Sequence, residues 1–410
     1  MDWFGNHTTP IRPRYITISV LSRMSQITRL PLILLLQLPC VFSLRGIGAW
    51  NFSVSRNRGQ TTATTSTSLY AKTLTRPAQW ITCSSTNELS DAVSNMIRPD
   101  DIVAEIGSSL REVSTGICQS LGTNGKAVLL DVERKSPKNT SNLDRVKAMR
   151  YPGEEKSFFV DTATFIELEK LEQWRTVLRE QSDSYSVLVL DLSNMCGNDL
   201  ELSALAILKE FDALWPSYRL AIIKSLSLNQ WAARLVHAQK FIEQKGRHDD
   251  IPPPHVVGTV GVHEYRNTIP HSVRSGDAVL EIGCHLGTST ILLDKQASPK
   301  GYAIGVDIGP RIITGAKERH PEVVFAVGDA WKTAELLRIQ TQHPKCDRTG
   351  FDAVYVDVGG LSGGDGLLEA MSLLSALINV LEPRCIVIKS LCIRRLCSRL
   401  TPYWQLNKFK

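Results

Sequence analysis

The chain has 410 residues, 43% hydrophobic and 21% charged, a balance that suits folded protein and a length that allows two domains or more. A formal net charge of +6 invites an anionic partner, yet residues 1–80 hold nine Lys/Arg against one acid and the remainder is close to neutral, which excludes a uniformly basic nucleic-acid-binding body. Nine cysteines, odd in number and without a C-x-x-C pair, provide neither a disulfide framework nor a zinc site, and no metal is expected.

The first ordered signal is an apolar run, Leu30 to Leu44, too short and too interrupted by proline for a comfortable membrane span but suited to the core of a signal peptide. Met24, just ahead of it, is a candidate functional start. The small residues Gly48 and Ala49 precede Trp50, and a basic stretch rich in Ser and Thr follows, with no acid between Trp3 and Asn87. This order resembles the bipartite plastid-targeting presequence of algae with secondary plastids, which implies a plastid address. Secretion, a mitochondrial address and a membrane anchor are the competing readings. Residues 1–77 are accordingly expected to be a largely disordered presequence.

From Gln79 onward the sequence repeats itself. DIVAEIG, containing Glu105, matches AVLEIG, containing Glu281, and Asp131 answers to Asp307; both pairs are 176 residues apart. Asp191 in VLVLD then answers to Asp357 in AVYVD, and IIKSL at 222–226 to VIKSL at 387–391, now 165 or 166 apart. The lost spacing falls on the polar segment Arg134 to Glu155, where a surface loop tolerates length changes. Four landmarks in one order indicate a tandem duplication.

Within each copy, short Val/Ile/Leu runs alternate with helical patterns, the signature of a parallel sheet covered on both faces. In the second copy strands are expected at 278–282, 302–307, 322–327, 352–357 and 384–389. Each copy is preceded by an extra strand and helix, beginning at Trp80 and at Val256. The expected fold class is therefore α/β, with two tandem Rossmann-like domains at 78–246 and 255–410, joined by a Pro-rich linker at 247–254.

The stretch Gly276 to Leu293, GDAVLEIGCHLGTSTILL, reads as strand, glycine loop and helix, an arrangement that brings backbone N–H groups to a ligand. Its E-x-G-x-x-x-G form resembles motif I of class I S-adenosylmethionine-dependent methyltransferases. That resemblance implies S-adenosyl-L-methionine as cofactor, with Glu281, Gly283 and Gly287 in the loop, Asp307 on the ribose hydroxyls and Asp329 on the adenine amino group. A nicotinamide-binding loop is disfavoured, because the glycines of G-x-G-x-x-G would fall at His285 and Thr288; His285 itself reads as a loop residue. The first copy keeps Glu105, Gly107 and Asp131 but has Arg111 where the second glycine belongs. It is read as degenerate and the second as active.

On the acceptor side, Asp357 and Lys389 end neighbouring strands, spaced about 4.8 Å apart, so their side chains can meet. A Lys/Asp pair can lower a hydroxyl pKa and accept a proton. The pair is similar to part of the catalytic set of FtsJ-like and fibrillarin-like ribose 2′-O-methyltransferases, although neither the first Lys nor the final Glu of that set is found. The same pair recurs as Asp191 and Lys224, which keeps a structural ion pair open. No [DN]-P-P-[YF] clamp and no Pro-Cys nucleophile follow the fourth strand, so an oxygen or another amine is the expected acceptor, RNA among the classes implied. Gly359 to Gly366 suits a mobile lid or a plain connection. Arg384 to Lys410 holds seven Lys/Arg and no acid, a candidate phosphate-binding surface, and leaves little room for the two final strands usual in the family. A non-catalytic methyltransferase-like scaffold is the alternative function.

Overall fold

The computed structural model describes residues 77–107, 112–132, 163–168, 170–192, 201–244, 254–361 and 366–407. The presequence, Arg111, Arg134 to Glu155, most of the linker and the tip of the Gly359 to Gly366 loop lie outside these residues. All described residues belong to one compact unit, and no helix among them is long and apolar enough to cross a membrane.

Fourteen strands are described: β1 (Gln79–Cys83), β2 (Ile102–Gly107), β3 (Lys126–Val132), β4 (Ala163–Leu168), β5 (Val187–Asp191), β6 (Leu220–Lys224), β7 (Leu235–His237), β8 (His255–Thr259), β9 (Ala278–Ile282), β10 (Tyr302–Asp307), β11 (Val324–Val327), β12 (Ala353–Val356), β13 (Cys385–Lys389) and β14 (Leu400–Pro402). They form two seven-stranded sheets, in the orders β14-β1-β6-β5-β2-β3-β4 and β11-β10-β9-β12-β13-β8-β7. Read from opposite ends the two orders are the same, β1 standing for β8, β2 for β9 and so on to β7 for β14. Every strand pair is parallel.

The central strands are apolar throughout because both faces are covered. VLVLD of β5 and AVLEI of β9 are buried at every position. Between the sheets lies a shared apolar cluster that includes Leu205, Leu208 and Phe211 of the helix Glu201–Leu214 and Met371, Leu374 and Leu377 of the helix Leu367–Leu381. The outer faces are closed separately. Ile81, Leu89, Val103 and Val189 cover the first sheet, while Val257, Tyr265, Val279 and Tyr355 cover the second.

The two halves exchange their last strands. β7 follows the helix Leu226–Arg234 of the first half yet pairs with β8 of the second sheet, Leu235 opposite Val256. β14 follows the helix Leu391–Arg399 of the second half and pairs with β1 of the first sheet, Leu400 opposite Trp80. The division expected between 246 and 255 is thus crossed by the chain in both directions. The outer positions of each sheet are filled by the extra strand ahead of the repeat and by a strand from the other half.

Arg399 fastens β14 in place. Its guanidinium pairs with Asp212 at 2.5 and 2.8 Å, donates from Nε to the Ala78 carbonyl at 2.9 Å and lies 4.0 Å above the Trp80 ring. Three other cations of the expected basic surface are committed in the same way: Arg384 to Asp277, Arg394 to Glu264 and Lys389 to Asp357. The segment that reads as a phosphate-binding patch is largely internal wiring. Arg399→Ala should remove a charge-assisted, ring-stacked anchor and cost about 3 kcal/mol in chemical denaturation of the whole chain. A change below about 0.5 kcal/mol would show that strand pairing alone holds β14.

Candidate functional site

The carboxyl ends of β9, β10, β12 and β13 meet at one edge of the second sheet, where the strand order reverses around β9. β9 ends at Ile282 and the chain turns through Gly283 at φ 80°. A Cβ on Gly283 would lie 2.1 Å from the Asp357 carbonyl oxygen, so only glycine permits β9 and β12 to approach this closely. Gly287, at φ 78°, is closed from the other side: a Cβ there would lie 2.5 Å from the Phe325 ring. Both glycines are therefore required by contacts within the protein itself.

The loop folds back onto β10 more tightly than its sequence suggests. Gly283 and Cys284 donate their backbone N–H groups to the Val306 carbonyl at 2.8 and 3.1 Å, and Gly287 donates to Cys284 at 2.9 Å. His285, at φ 48°, donates its backbone N–H to Asp307 Oδ2 at 3.2 Å. The expected cradle of N–H groups aimed at a ligand is thus largely closed on itself, because the end of β10 offers acceptors within hydrogen-bond distance. His285 is a loop residue that orients Asp307.

Asp307 stands half-buried at the tip of β10. Oδ1 accepts from Gly309 N–H at 2.9 Å, so each carboxylate oxygen holds one backbone donor and keeps acceptor capacity for a further one. Asp329 caps the turn after β11, accepting from Trp331 N–H at 3.0 Å, with Lys332 Nζ 4.0 Å away. Two apolar side chains beside these acids were missed in the sequence. Ile308 is 72% exposed and Trp331 50% exposed, each directly beyond a strand-ending acid turn. The readable signal is the position, an apolar residue after the acid of β10 and an aromatic two residues after Asp329.

Glu281 lies beneath the loop, buried, with Thr290 donating to Oε2 at 2.5 Å and Tyr265 to Oε1 at 3.4 Å. It ties β9 to the helix Thr290–Ala297 and reaches the edge only through that loop. Burial pushes its carboxyl up to about 8, opposed by the Thr290 hydrogen bond and reinforced by the Asp357 charge. The first half repeats the device nine residues apart, Ser114 donating to Glu105 Oε2 at 2.7 Å. Burial raises Glu105 to about 7, opposed by Ser114 and reinforced by Asp191 and Asp131.

At the other end of the edge, Lys389 Nζ meets Asp357 Oδ2 at 2.5 Å. Both side chains are about one quarter exposed. Lys224 and Asp191 make the equivalent pair at 3.1 Å in the first half, where Asp191 is almost fully enclosed. The structure thus brings Asp357 and Lys389 together, places Asp307 across β9 from them, and sets Asp329 one strand farther out. Among the described residues, no group of three His, Cys, Asp or Glu side chains is disposed to hold a metal.

The two buried glutamates predict a pH profile. Each folds with its carboxyl protonated above the unfolded value near 4.5, so folding takes up protons between pH 4.5 and about 7 or 8. Stability is favoured below pH 4.5 and declines as pH rises through that window, by on the order of 3 kcal/mol per group. Denaturation midpoints measured from pH 5 to 8 should fall less steeply in Glu105→Gln and Glu281→Gln than in the parent chain. Parallel profiles would mean that neither carboxyl titrates in this range.

No protein-family model matches the chain, and no curated protein does. Solved structures are similar over parts of it. A TehB-like SAM-dependent methyltransferase from Corynebacterium glutamicum is 24% identical over 28% of this chain and 55% of its own, with a TM-score of 0.20. Fibrillarin of Aeropyrum pernix, with natively bound S-adenosyl-L-methionine, is 18% identical over 37% of this chain and 50% of its own, with a TM-score of 0.22. Phosphoethanolamine N-methyltransferase 2 of Haemonchus contortus is 10% identical over 66% of this chain and 68% of its own, with a TM-score of 0.17. The chain spans about half the length of the first two. Likenesses of this size carry no argument about activity.

Proposed function

We propose that the second half binds S-adenosyl-L-methionine and transfers its methyl group to an oxygen or nitrogen acceptor, while the first half serves as a scaffold. The observation that carries this reading is the one-edge grouping of the Asp307 carboxyl at a strand tip, two exposed apolar side chains and a Lys/Asp pair. The donor set fits the group. Asp307 has acceptor capacity for two ribose hydroxyls, and Ile308 and Trp331 offer apolar faces to a purine. When bound, the cofactor supplies an electrophilic methyl on a sulfonium.

The chain's own contribution is proton handling and position. Asp357 accepts the proton from the acceptor's O–H or N–H, and Lys389, held against it, keeps that carboxylate in place and stabilises the negative charge developing on an oxygen. Glu281, through Thr290, fixes the loop that orients Asp307. Calorimetry on the whole chain should detect S-adenosylhomocysteine binding that weakens at least tenfold in Asp307→Ala. Methyl transfer should fall at least a hundredfold in Lys389→Ala with binding retained, while Lys224→Ala leaves transfer unchanged. Binding indifferent to Asp307 would overturn the site assignment.

A non-catalytic scaffold is the second reading, and the recurrence of the Lys/Asp pair in the half with Arg111 favours it. The same Lys389→Ala measurement separates the two. An RNA acceptor held by the C-terminal segment draws little support from cations already paired with Asp277, Glu264, Asp357 and Asp212. The presequence reading adds a plastid address. Residues 1–77 fused to a fluorescent protein should enter the plastid of an alga with secondary plastids, and retention in the secretory pathway would redirect it.

A further inference from the structure

The two halves differ most informatively beside the Lys/Asp pair. In the first half, β1 is followed by Ser84, Ser85 and Thr86. Ser85 caps the next helix by accepting from Glu88 N–H, and Ser84 Oγ donates to the Glu88 carboxylate at 2.8 Å. In the second half the same three positions after β8 are Val260, Gly261 and Val262. Glu264, the counterpart of Glu88, still accepts from the Val260 backbone at 2.5 Å, but the helix Gly261–Asn267 has no side-chain cap. Exchanging the Ser85 cap for Gly261 costs about a few tenths of a kcal/mol, and exposing two valines in place of Ser and Thr gains nothing for the fold. A local rule broken in one copy only, next to a functional pair, points to a ligand.

Two helices leave neighbouring strands at this point. Thr259 is opposite Lys389 in the β8–β13 ladder, and Ser390 N–H donates to the Thr259 carbonyl at 3.1 Å, so Val260 and Leu391 leave the sheet side by side. The helix Leu391–Arg399 lies so close over β8 that a Cβ on Gly258 would come within 3.0 Å of Arg394 Cα. The Arg394–Glu264 ion pair at 3.2 Å joins this helix to Gly261–Asn267. Val260, Val262 and Leu391 are 48%, 40% and 39% exposed at the N-terminal ends of these two helices, with Lys389 at the end of β13 beside them and Asp357 one strand farther along, after β12.

The charges at this edge give a polyanion no attraction. Lys389 is paired with Asp357 and Arg394 with Glu264, so the four groups sum to zero. A phosphate chain would meet closed ion pairs and apolar surface there. An uncharged apolar molecule would cover the three exposed side chains and present its hydroxyl to the pair. Among hydroxyls, a phenol has a pKa near 10 and needs far less assistance to lose its proton than an aliphatic alcohol, which suits a site with one carboxylate and one ammonium group.

We propose that the acceptor is a small, uncharged phenol with an apolar body seated against Val260, Val262 and Leu391. This rests on the reading of the second half as a methyltransferase. In the methyl transfer, the phenolic oxygen forms the new C–O bond as the cofactor's S–CH₃ bond breaks. The sulfur takes the bonding pair, and the phenolic proton goes to Asp357.

The test uses the full chain, saturated with S-adenosylhomocysteine and titrated calorimetrically with phenol, 4-ethylphenol and 4-butylphenol, and separately with an RNA pentanucleotide. Affinity should tighten about threefold for each added methylene in the parent chain. The Val260→Ser/Val262→Thr double variant, which carries the residues of the first half, should flatten the series to less than twofold overall while leaving S-adenosylhomocysteine affinity unchanged. Three results would overturn the inference alone: the same slope in the variant, no phenol binding beside normal S-adenosylhomocysteine binding, or RNA bound more tightly than every phenol. Absence of S-adenosylhomocysteine binding in the parent chain would overturn the methyltransferase reading and this inference together.

Discussion

The reciprocal pairing of β7 with β8 and β14 with β1 is the constraint on which the rest of the structure depends. Without it each half would present β8 or β1 as a buried-type, apolar edge strand with unpaired backbone groups. Each half covers the other's edge with only three residues. The short strands hold because the helices leading to them pack across β1 and β8 and because Arg399 is gripped by Asp212, Tyr218 and Trp80. One consequence reaches the site. The residues from Lys389 through the helix Leu391–Arg399 to β14 form a continuous run of strand, helix and strand, so the first half helps to fix Lys389 of the second. A half with Arg111 in place of the second loop glycine can still be indispensable to the geometry of its twin.

A second constraint is the contact between the loop glycine and the neighbouring strand. A Cβ on Gly107 would lie 1.8 Å from the Asp191 carbonyl oxygen, as one on Gly283 would lie 2.1 Å from that of Asp357. This contact seats the strand-ending aspartate, and hence its lysine partner, in both halves. It explains why the first glycine and the Lys/Asp pair persist in both copies while the glycine of Gly287 gives way to Arg111 in the first. The persistent features belong to the sheet. Those that differ, including Gly287 against Phe325 and the Val260-Gly261-Val262 turn, belong to the second half's particular edge.

Much of this was legible in the sequence because strands buried on both faces must be apolar from end to end. The runs at Ala278, Tyr302, Ala353 and Cys385 therefore announced themselves, and their ends marked Glu281, Asp307, Asp357 and Lys389. The exchange was not legible. LVH and LTP are too short to show a period, and LTP pairs with a strand 320 residues back, Leu400 opposite Trp80. The C-terminal arginines misled for a related reason. Their acids, Asp277, Glu264 and Asp212, stand 107, 130 and 187 residues away, so a local count saw only positive charge. Ile308 and Trp331 escaped notice because a single exposed apolar residue has no pattern; only its place beside an acid at a strand tip gives it meaning.

The position of β14 also sets the order in which the protein can be finished. Synthesis produces β1 to β6 of the first sheet early, but the strand that seals β1 emerges after β13 and its helix. Until then the nascent first half exposes Gln79–Cys83 along one side, an apolar strand ready to pair with any neighbour. The duplication therefore couples the two folding events: the first sheet waits for the second, and a ribosome-bound or truncated intermediate carries an open, adhesive edge.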